Sequence, residues 1–137
     1  MKKILIDSDV ILDFFFDREP FSTNASIVLS LCESGKVKGF ITPVIMSNIY
    51  YLLRQQSTHS NVIEKLKALI SFLEPIVITK ESILMALHSD FNDFEDALQN
   101  FAAQINQEVD IIVTRNTKDY RKSKLAVLDP EQFLKSI

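Results

Sequence analysis

Acidic residues stand at the places where this sequence could do chemistry. Asp7 closes the apolar run Ile4-Leu5-Ile6, and Asp9 follows two residues later. Residues i and i+2 of an extended chain point the same way, so both carboxylates are expected on one face. Carboxylates that close repel unless a proton or cation lies between them. A hard divalent ion with oxygen ligands, magnesium or manganese, is the natural occupant. Asp93 and Asp96 open a strongly amphipathic stretch, and Thr114, Asn116 and Asp119 follow the apolar run Ile111-Ile112-Val113. Each group also has a plainer explanation. Asp9 can cap a helix while Asp7 is merely solvated. Asp93-x-x-Asp96 is a capping pattern with acids at a helix N-terminus, and Asn116 with Asp119 suits a turn and a cap. Arg115, Lys118, Arg121, Lys122 and Lys124 form a basic run interrupted by Asp119. Such a run is a solvated helix face or, beside a carboxylate pocket, a hold on a phosphate backbone.

These groups need a scaffold that brings them together. Ile4-Leu5-Ile6, Gly39-Phe40-Ile41-Thr42, Ile76-Val77-Ile78, Ile111-Ile112-Val113 and Leu125-Ala126-Val127-Leu128 read as five short buried strands. Helical patterns separate them. Val10, Ile11, Phe14 and Phe15 precede Pro20, and a helix from Ser22 to Ser34 ends before Gly35, a natural C-terminal cap. Pro43 opens a helix through Gln55, and Thr58 or Ser60 opens one bearing Val62, Leu66, Leu69, Ile70 and Leu73 on one face. Thr79 caps a helix carrying Ile83, Leu84 and Leu87. Asp93 starts one with Phe94, Ala97, Leu98, Phe101, Ala102 and Ile105 on one face. A short basic helix spans Thr117 to Lys122, and Pro130 opens a final helical turn. Continuously apolar strands alternating with helices predict an α/β fold with a parallel sheet covered on both faces. In such folds ligands bind beyond the carboxyl ends of the strands, and Asp7, Thr42, Thr79 and Thr114 all stand there. Phe14-Phe15-Phe16 and Tyr50-Tyr51 read as core and groove wall, Cys32 as a packed residue, and His59 and His88 as surface residues.

The chain has 137 residues and a formal charge of -3, from 15 bases and 18 acids. That length predicts one domain over residues 1–137, and the balanced composition excludes disorder, collagen and coiled coil. One cysteine excludes an internal disulfide framework or a cysteine zinc cluster. The start is too acidic for a signal peptide, and no stretch is apolar enough to span a bilayer, so no membrane role and a cytoplasmic location are expected. Net acidity argues at first against a nucleic-acid partner. Setting aside Asp7, Asp9, Asp93, Asp96 and Asp119 leaves 13 acids against 15 bases, a remainder of +2, and the objection weakens.

Ile4 to Asp13 resembles the opening strand and first acidic motif of the PIN domain family, metal-dependent nucleases that include the toxins of many bacterial toxin–antitoxin pairs. Asp93-Phe94-Glu95-Asp96-Ala97-Leu98-Gln99 is similar to its third motif, and Val113 to Tyr120 to its last. The resemblance implies a three-layer α/β/α fold around a five-stranded parallel sheet. It implies a divalent-metal-dependent endonuclease acting on RNA, with Asp7, Asp96, Asp119 and Asn116 as catalytic residues. Asp7, Asp9, Asp93, Asp96, Asn116 and Asp119 would hold Mg²⁺ or Mn²⁺, with Thr114 in support. Arg115, Lys118 and Arg54 would bind the RNA strand. A type II toxin would imply a small antitoxin partner and a homodimer. The chain departs from the family at Asn48, where the second motif has Glu, and at Asp9, where the family has Asn; Asp9 is expected to restore the charge that Asn48 loses. The alternative is a catalytically weak or inactive PIN-like binding module. Asp7-Ser8-Asp9-Val10 also resembles the nucleophile motif of haloacid-dehalogenase-type phosphatases, which would place an aspartyl-phosphate on Asp7. Against that, the chain is short and shows no later Gly-Asp-rich acidic loop.

Overall fold

Ile4, Leu5 and Ile6 are completely buried, so β1 (Lys3–Ile6) must be covered on both faces and flanked on both edges. The computed structural model describes residues 1–137 and places β1 at the centre of a five-stranded sheet. The chain continues through α1 (Ser8–Phe15), α2 (Ser22–Glu33), β2 (Lys38–Ile41), α3 (Pro43–Arg54), α4 (His59–Ile70) and β3 (Leu73–Pro75). It then forms α5 (Lys80–Leu87), α6 (Phe94–Asn106), β4 (Ile111–Val113), a 3-10 turn (Thr117–Tyr120), β5 (Ala126–Leu128) and α7 (Pro130–Ser136). The strand order is β3-β2-β1-β4-β5, and every pairing is parallel. Two sets of helices cover the sheet: α1 to α4 and α7 contact one another, and α5 packs on α6, which meets the 3-10 turn. This is the expected α/β/α arrangement. The chain builds outward from β1 first to β2 and β3, then crosses to β4 and β5. The carboxyl ends of β1 and β4 therefore flank the switch point, where a crevice opens.

Local chemistry explains the helix limits. Thr42, Thr58 and Thr79 each accept the amide of the third residue beyond them, and Pro43 and Pro130 occupy first-turn positions where no donor is lost. Gly35, at φ +80°, takes the left-handed conformation that follows α2.

Several sequence expectations fail for identifiable reasons. The third strand is Leu73–Pro75, not Ile76-Val77-Ile78. Its register pairs Leu73 with Gly39, and the ladder ends where the Ile76 amide donates to the Ile41 carbonyl at 2.8 Å. Val77 lies beyond it, 75% exposed. Because β3 is an edge strand, Pro75 is tolerated in it. Leu73 thus belongs to β3 rather than to the face of α4, and Ile70 is exposed. On α5, Ile83, Leu84 and Leu87 are exposed, as is Phe94 at the head of α6. The buried face of α5 is the one that carries Ser82 and Ala86. The basic helix is only the 3-10 turn Thr117–Tyr120, held to the core by fully buried Tyr120, whereas the final turn is the full helix α7.

Candidate functional site

β1 delivers Asp7 directly. Its amide continues the β1–β4 ladder by donating to the Val113 carbonyl at 3.0 Å, which brings Asp7 beside Thr114. The Asp7 side chain caps α1: Oδ1 accepts the Ser8 amide at 2.8 Å. Oδ2 accepts the Thr114 hydroxyl at 2.9 Å and the Tyr120 hydroxyl at 3.3 Å. Asp9 does not extend the strand, because α1 already begins at Ser8. The i, i+2 argument for their convergence therefore fails, and so does the assignment of the cap to Asp9. Asp9 reaches the site from the first turn of α1, where Oδ2 accepts the Arg115 amide at 3.0 Å. Its Oδ1 is buried and has no hydrogen-bond partner.

The opposite wall comes from α3 and α6. Asp93 caps α6 by accepting the Asp96 amide at 3.0 Å, so its plainer role is real, and it also faces the crevice. Thr42, at the end of β2, donates its hydroxyl to Gln99 in a buried bond that ties α3 to α6. Asn48 donates Nδ2 to Glu95 Oε2 at 3.1 Å. After β4, the Asn116 amide donates to Thr114 Oγ1 at 3.1 Å, and the Asp119 amide donates to the Asn116 carbonyl at 3.0 Å.

Together these elements enclose a pocket of about 210 Å³. It is lined by Asp7, Asp9, Asp93, Glu95, Asp96 and Asp119, with Ser8, Asn48, Gln99 and Asn116 between them, and no apolar residue. Burial, with Asp7, Asp93 and Asp119 close by, pushes the Asp96 carboxyl up to about 7. Burial, then the Asp7 charge, pushes Asp9 up to about 6. Burial also raises Asp7, and Glu95 adds to the effect, while its bonds from Thr114, Ser8 and Tyr120 oppose it. Tyr120 stays neutral, its phenol raised by burial and by Asp7 and Asp96.

This donor set fits a hard divalent ion. It is all oxygen apart from the amide nitrogens, it includes no lysine or arginine, and it presents the unpartnered Oδ1 of Asp9. No three carboxylates close tightly around one point. That does not oppose magnesium, which keeps several waters and takes only one or two carboxylates directly.

The cations expected to bind a strand sit elsewhere. Arg115 turns its guanidinium away, donating through Nε and Nη2 to both oxygens of buried Asp13 and stacking 4.0 Å over the Phe21 ring. Arg54 closes the end of α3 by donating to the Ser57 carbonyl at 2.9 Å. Lys118 is exposed on the 3-10 turn and does not line the pocket. Sequence reasoning did not single out Glu95, Gln99 or Tyr120. Glu95 lies inside a motif already explained by Asp93 and Asp96, and only its partner on α3 reveals where it points.

A family model described as PIN domain matches residues 3–118. Among solved structures, the chain is similar to a toxin–antitoxin complex from Klebsiella pneumoniae, with 19% identity and a TM-score of 0.70 over 93% of this chain and 97% of that one. It is also similar to VapBC-1 from nontypeable Haemophilus influenzae, with 10% identity and a TM-score of 0.68 over 94% and 98%. VapBC2 from Rickettsia felis, bound to a DNA fragment from their promoter, aligns at 13% identity and a TM-score of 0.64 over 93% and 97%. At such identities the likeness is one of fold. No curated protein matches the chain significantly in sequence.

Proposed function

The chain belongs to the PIN domain family, and from that premise we propose that it is a divalent-metal-dependent endonuclease acting on RNA, the toxin of a toxin–antitoxin pair with a small protein as its antitoxin. The observation that carries this reading is the pocket at the β1–β4 switch point. It gathers six carboxylates, and burial together with the neighbouring acids pushes Asp9 and Asp96 up to about 6 and about 7. A divalent ion held there would offset this charge, acidify an attacking water and stabilise charge on the phosphodiester.

The chain's own residues set up that chemistry. Asp7 is immobilised by Ser8, Thr114 and Tyr120, so its remaining lone pairs face the pocket in a fixed direction. Tyr120 keeps its proton and donates it as a hydrogen bond to Asp7. Asp9, held at Oδ2 by the Arg115 amide, presents Oδ1 unpartnered. Asp96 and Asp119 supply charge from α6 and from the 3-10 turn. At pH 8, above the displaced values of Asp9 and Asp96, the pocket is negatively charged and repels a bare phosphate, so binding of the RNA backbone there depends on the cation.

Asp7→Asn and Asp96→Asn are expected to abolish Mn²⁺-dependent cleavage of a mixed RNA pool. Asn also caps helices well, so Asp7→Asn keeps the fold. Cleavage retained by both purified variants would sink the reading. The second reading, a PIN module that binds without cutting, is favoured by the neutral Asn48 in the pocket wall. It predicts no cleavage with Mn²⁺, Mg²⁺ or EDTA.

A further inference from the structure

The α3–α6 side of the pocket contains a carboxylate paired with an amide. Asn48 Nδ2 donates to Glu95 Oε2 at 3.1 Å. Only the nitrogen of that amide can donate to a carboxylate, which fixes the orientation of Asn48 and leaves its carbonyl oxygen alone available to the pocket. Asn48 therefore brings no charge of its own. Glu95 stands in the first turn of α6, but its own helix does not use it, because Asp93 already serves as the cap. No lysine or arginine pairs with it.

The other acids differ in how far they are already engaged. Asp7 accepts three hydrogen bonds, Asp9 is held at Oδ2 by the Arg115 amide, and Asp93 accepts the Asp96 amide. Glu95 accepts one bond, from Asn48, and keeps its remaining lone pairs. A glutamate left free on a helix surface samples many rotamers, and ordering it costs side-chain entropy. The Asn48 amide restricts that freedom and holds the carboxylate across the pocket from Asp7.

We infer that Asn48 and Glu95 act as one unit, in which Asn48 positions the side chain and Glu95 adds, beside Asp93 and Asp96 at the head of α6, a negative charge that the neutral Asn48 of α3 does not bring to a divalent cation. This rests on the metal-dependent reading and deepens it. It adds a second source for the charge absent at Asn48: Asp9 reaches the pocket from the β4 side, held by the Arg115 amide, and Glu95 is the acid in contact with Asn48.

The experiment is calorimetric titration of Mn²⁺ into the EDTA-stripped full-length chain at pH 8, with the unfolding temperature in EDTA as a check on folding. Glu95→Gln is expected to raise the Mn²⁺ Kd about tenfold or more while leaving the EDTA unfolding temperature near that of wild type, since Glu95 is exposed. Asn48→Glu combined with Glu95→Gln moves the charge to the other end of the same hydrogen bond and is expected to recover most of the loss. A merely structural role for Glu95 would not be rescued in this way. Wild-type affinity in Glu95→Gln, alongside lost binding in Asp96→Asn, overturns the inference and leaves the metal reading intact. An exchanged pair that binds no tighter than Glu95→Gln alone overturns it as well. Failure of the wild type to take up Mn²⁺ removes both.

Discussion

Asp13 is completely buried, yet it is not part of the acid pocket. Arg115 grips both of its oxygens, and Arg18 approaches at 3.4 Å. An ionised carboxylate without such partners would be strongly disfavoured there. The same Arg115 holds Asp9 through its backbone amide, so one residue serves two acids with different jobs. Arg115→Ala is expected to cost about 3 kcal/mol in urea unfolding, because it leaves Asp13 buried with only the more distant Arg18. Arg115→Lys should recover part of this, lacking the planar fork and the stacking on Phe21. The Asp9 bond uses the backbone and survives both changes, so Mn²⁺ affinity of the folded variants should stay near wild type. An Arg115→Ala chain as stable as wild type would show that Asp13 does not depend on this pair. The acids at strand ends and the head of α6 were legible in the sequence because burial patterns end abruptly there. The destination of Arg115 was not, since a basic run gives no sign of which member turns inward. Glu95 was hidden for a related reason: its meaning lies in Asn48, 47 residues away along the chain.

At the scale of elements, apolar spacing identifies residues that share a face but does not say what covers it. Hence α6 was legible, with Ala97, Leu98 and Ala102 of its expected face buried, while Ile83, Leu84 and Leu87 of α5 share a pattern and lie exposed. The third strand was misplaced because Ile76-Val77-Ile78 is the more apolar run. What sets the register instead is Gly39. A Cβ there would lie 2.6 Å from Leu73 Cδ2 and 2.7 Å from Cys32 Sγ, so any other residue would force these two buried side chains to shift. Gly39→Ala is expected to destabilise the fold by about 2 kcal/mol, as overpacking in a core generally does, measured from the urea midpoint. Adding Cys32→Ala removes one of the two clashes and should recover part of the loss. A Gly39→Ala chain of unchanged stability would mean that the β2–β3 register is not set by this contact.

For the molecule as a whole, the formal charge of -3 conceals a division. Six of the 18 acids line the pocket, leaving 12 against 15 bases elsewhere. The fold therefore concentrates its negative charge at one place, and that place should govern how stability responds to pH and to cations. In the folded chain Asp9 and Asp96 are pushed up to about 6 and about 7, against roughly 3.9 when unfolded. Between about pH 4 and pH 7 the folded state thus holds more protons than the unfolded state, and stability falls as pH rises through that interval. The EDTA-stripped protein is accordingly expected to melt at a lower temperature at pH 8 than at pH 5.5. Asp96→Asn should flatten that difference, because it removes the group with the highest displaced value. On the proposed reading Mn²⁺ would bind the native pocket in preference to the unfolded chain, and it should then raise the unfolding temperature. The rise should be larger at pH 8, where Asp9 and Asp96 are free, than at pH 5.5, where protons largely occupy them. Scanning calorimetry at both pH values, with and without Mn²⁺, checks all three expectations. A metal-free unfolding temperature that climbs from pH 5.5 to pH 8 equally in wild type and Asp96→Asn would show that pocket repulsion does not control the stability of this fold. A Mn²⁺ effect of equal size at both pH values would show that the ion binds outside the titrating carboxylates.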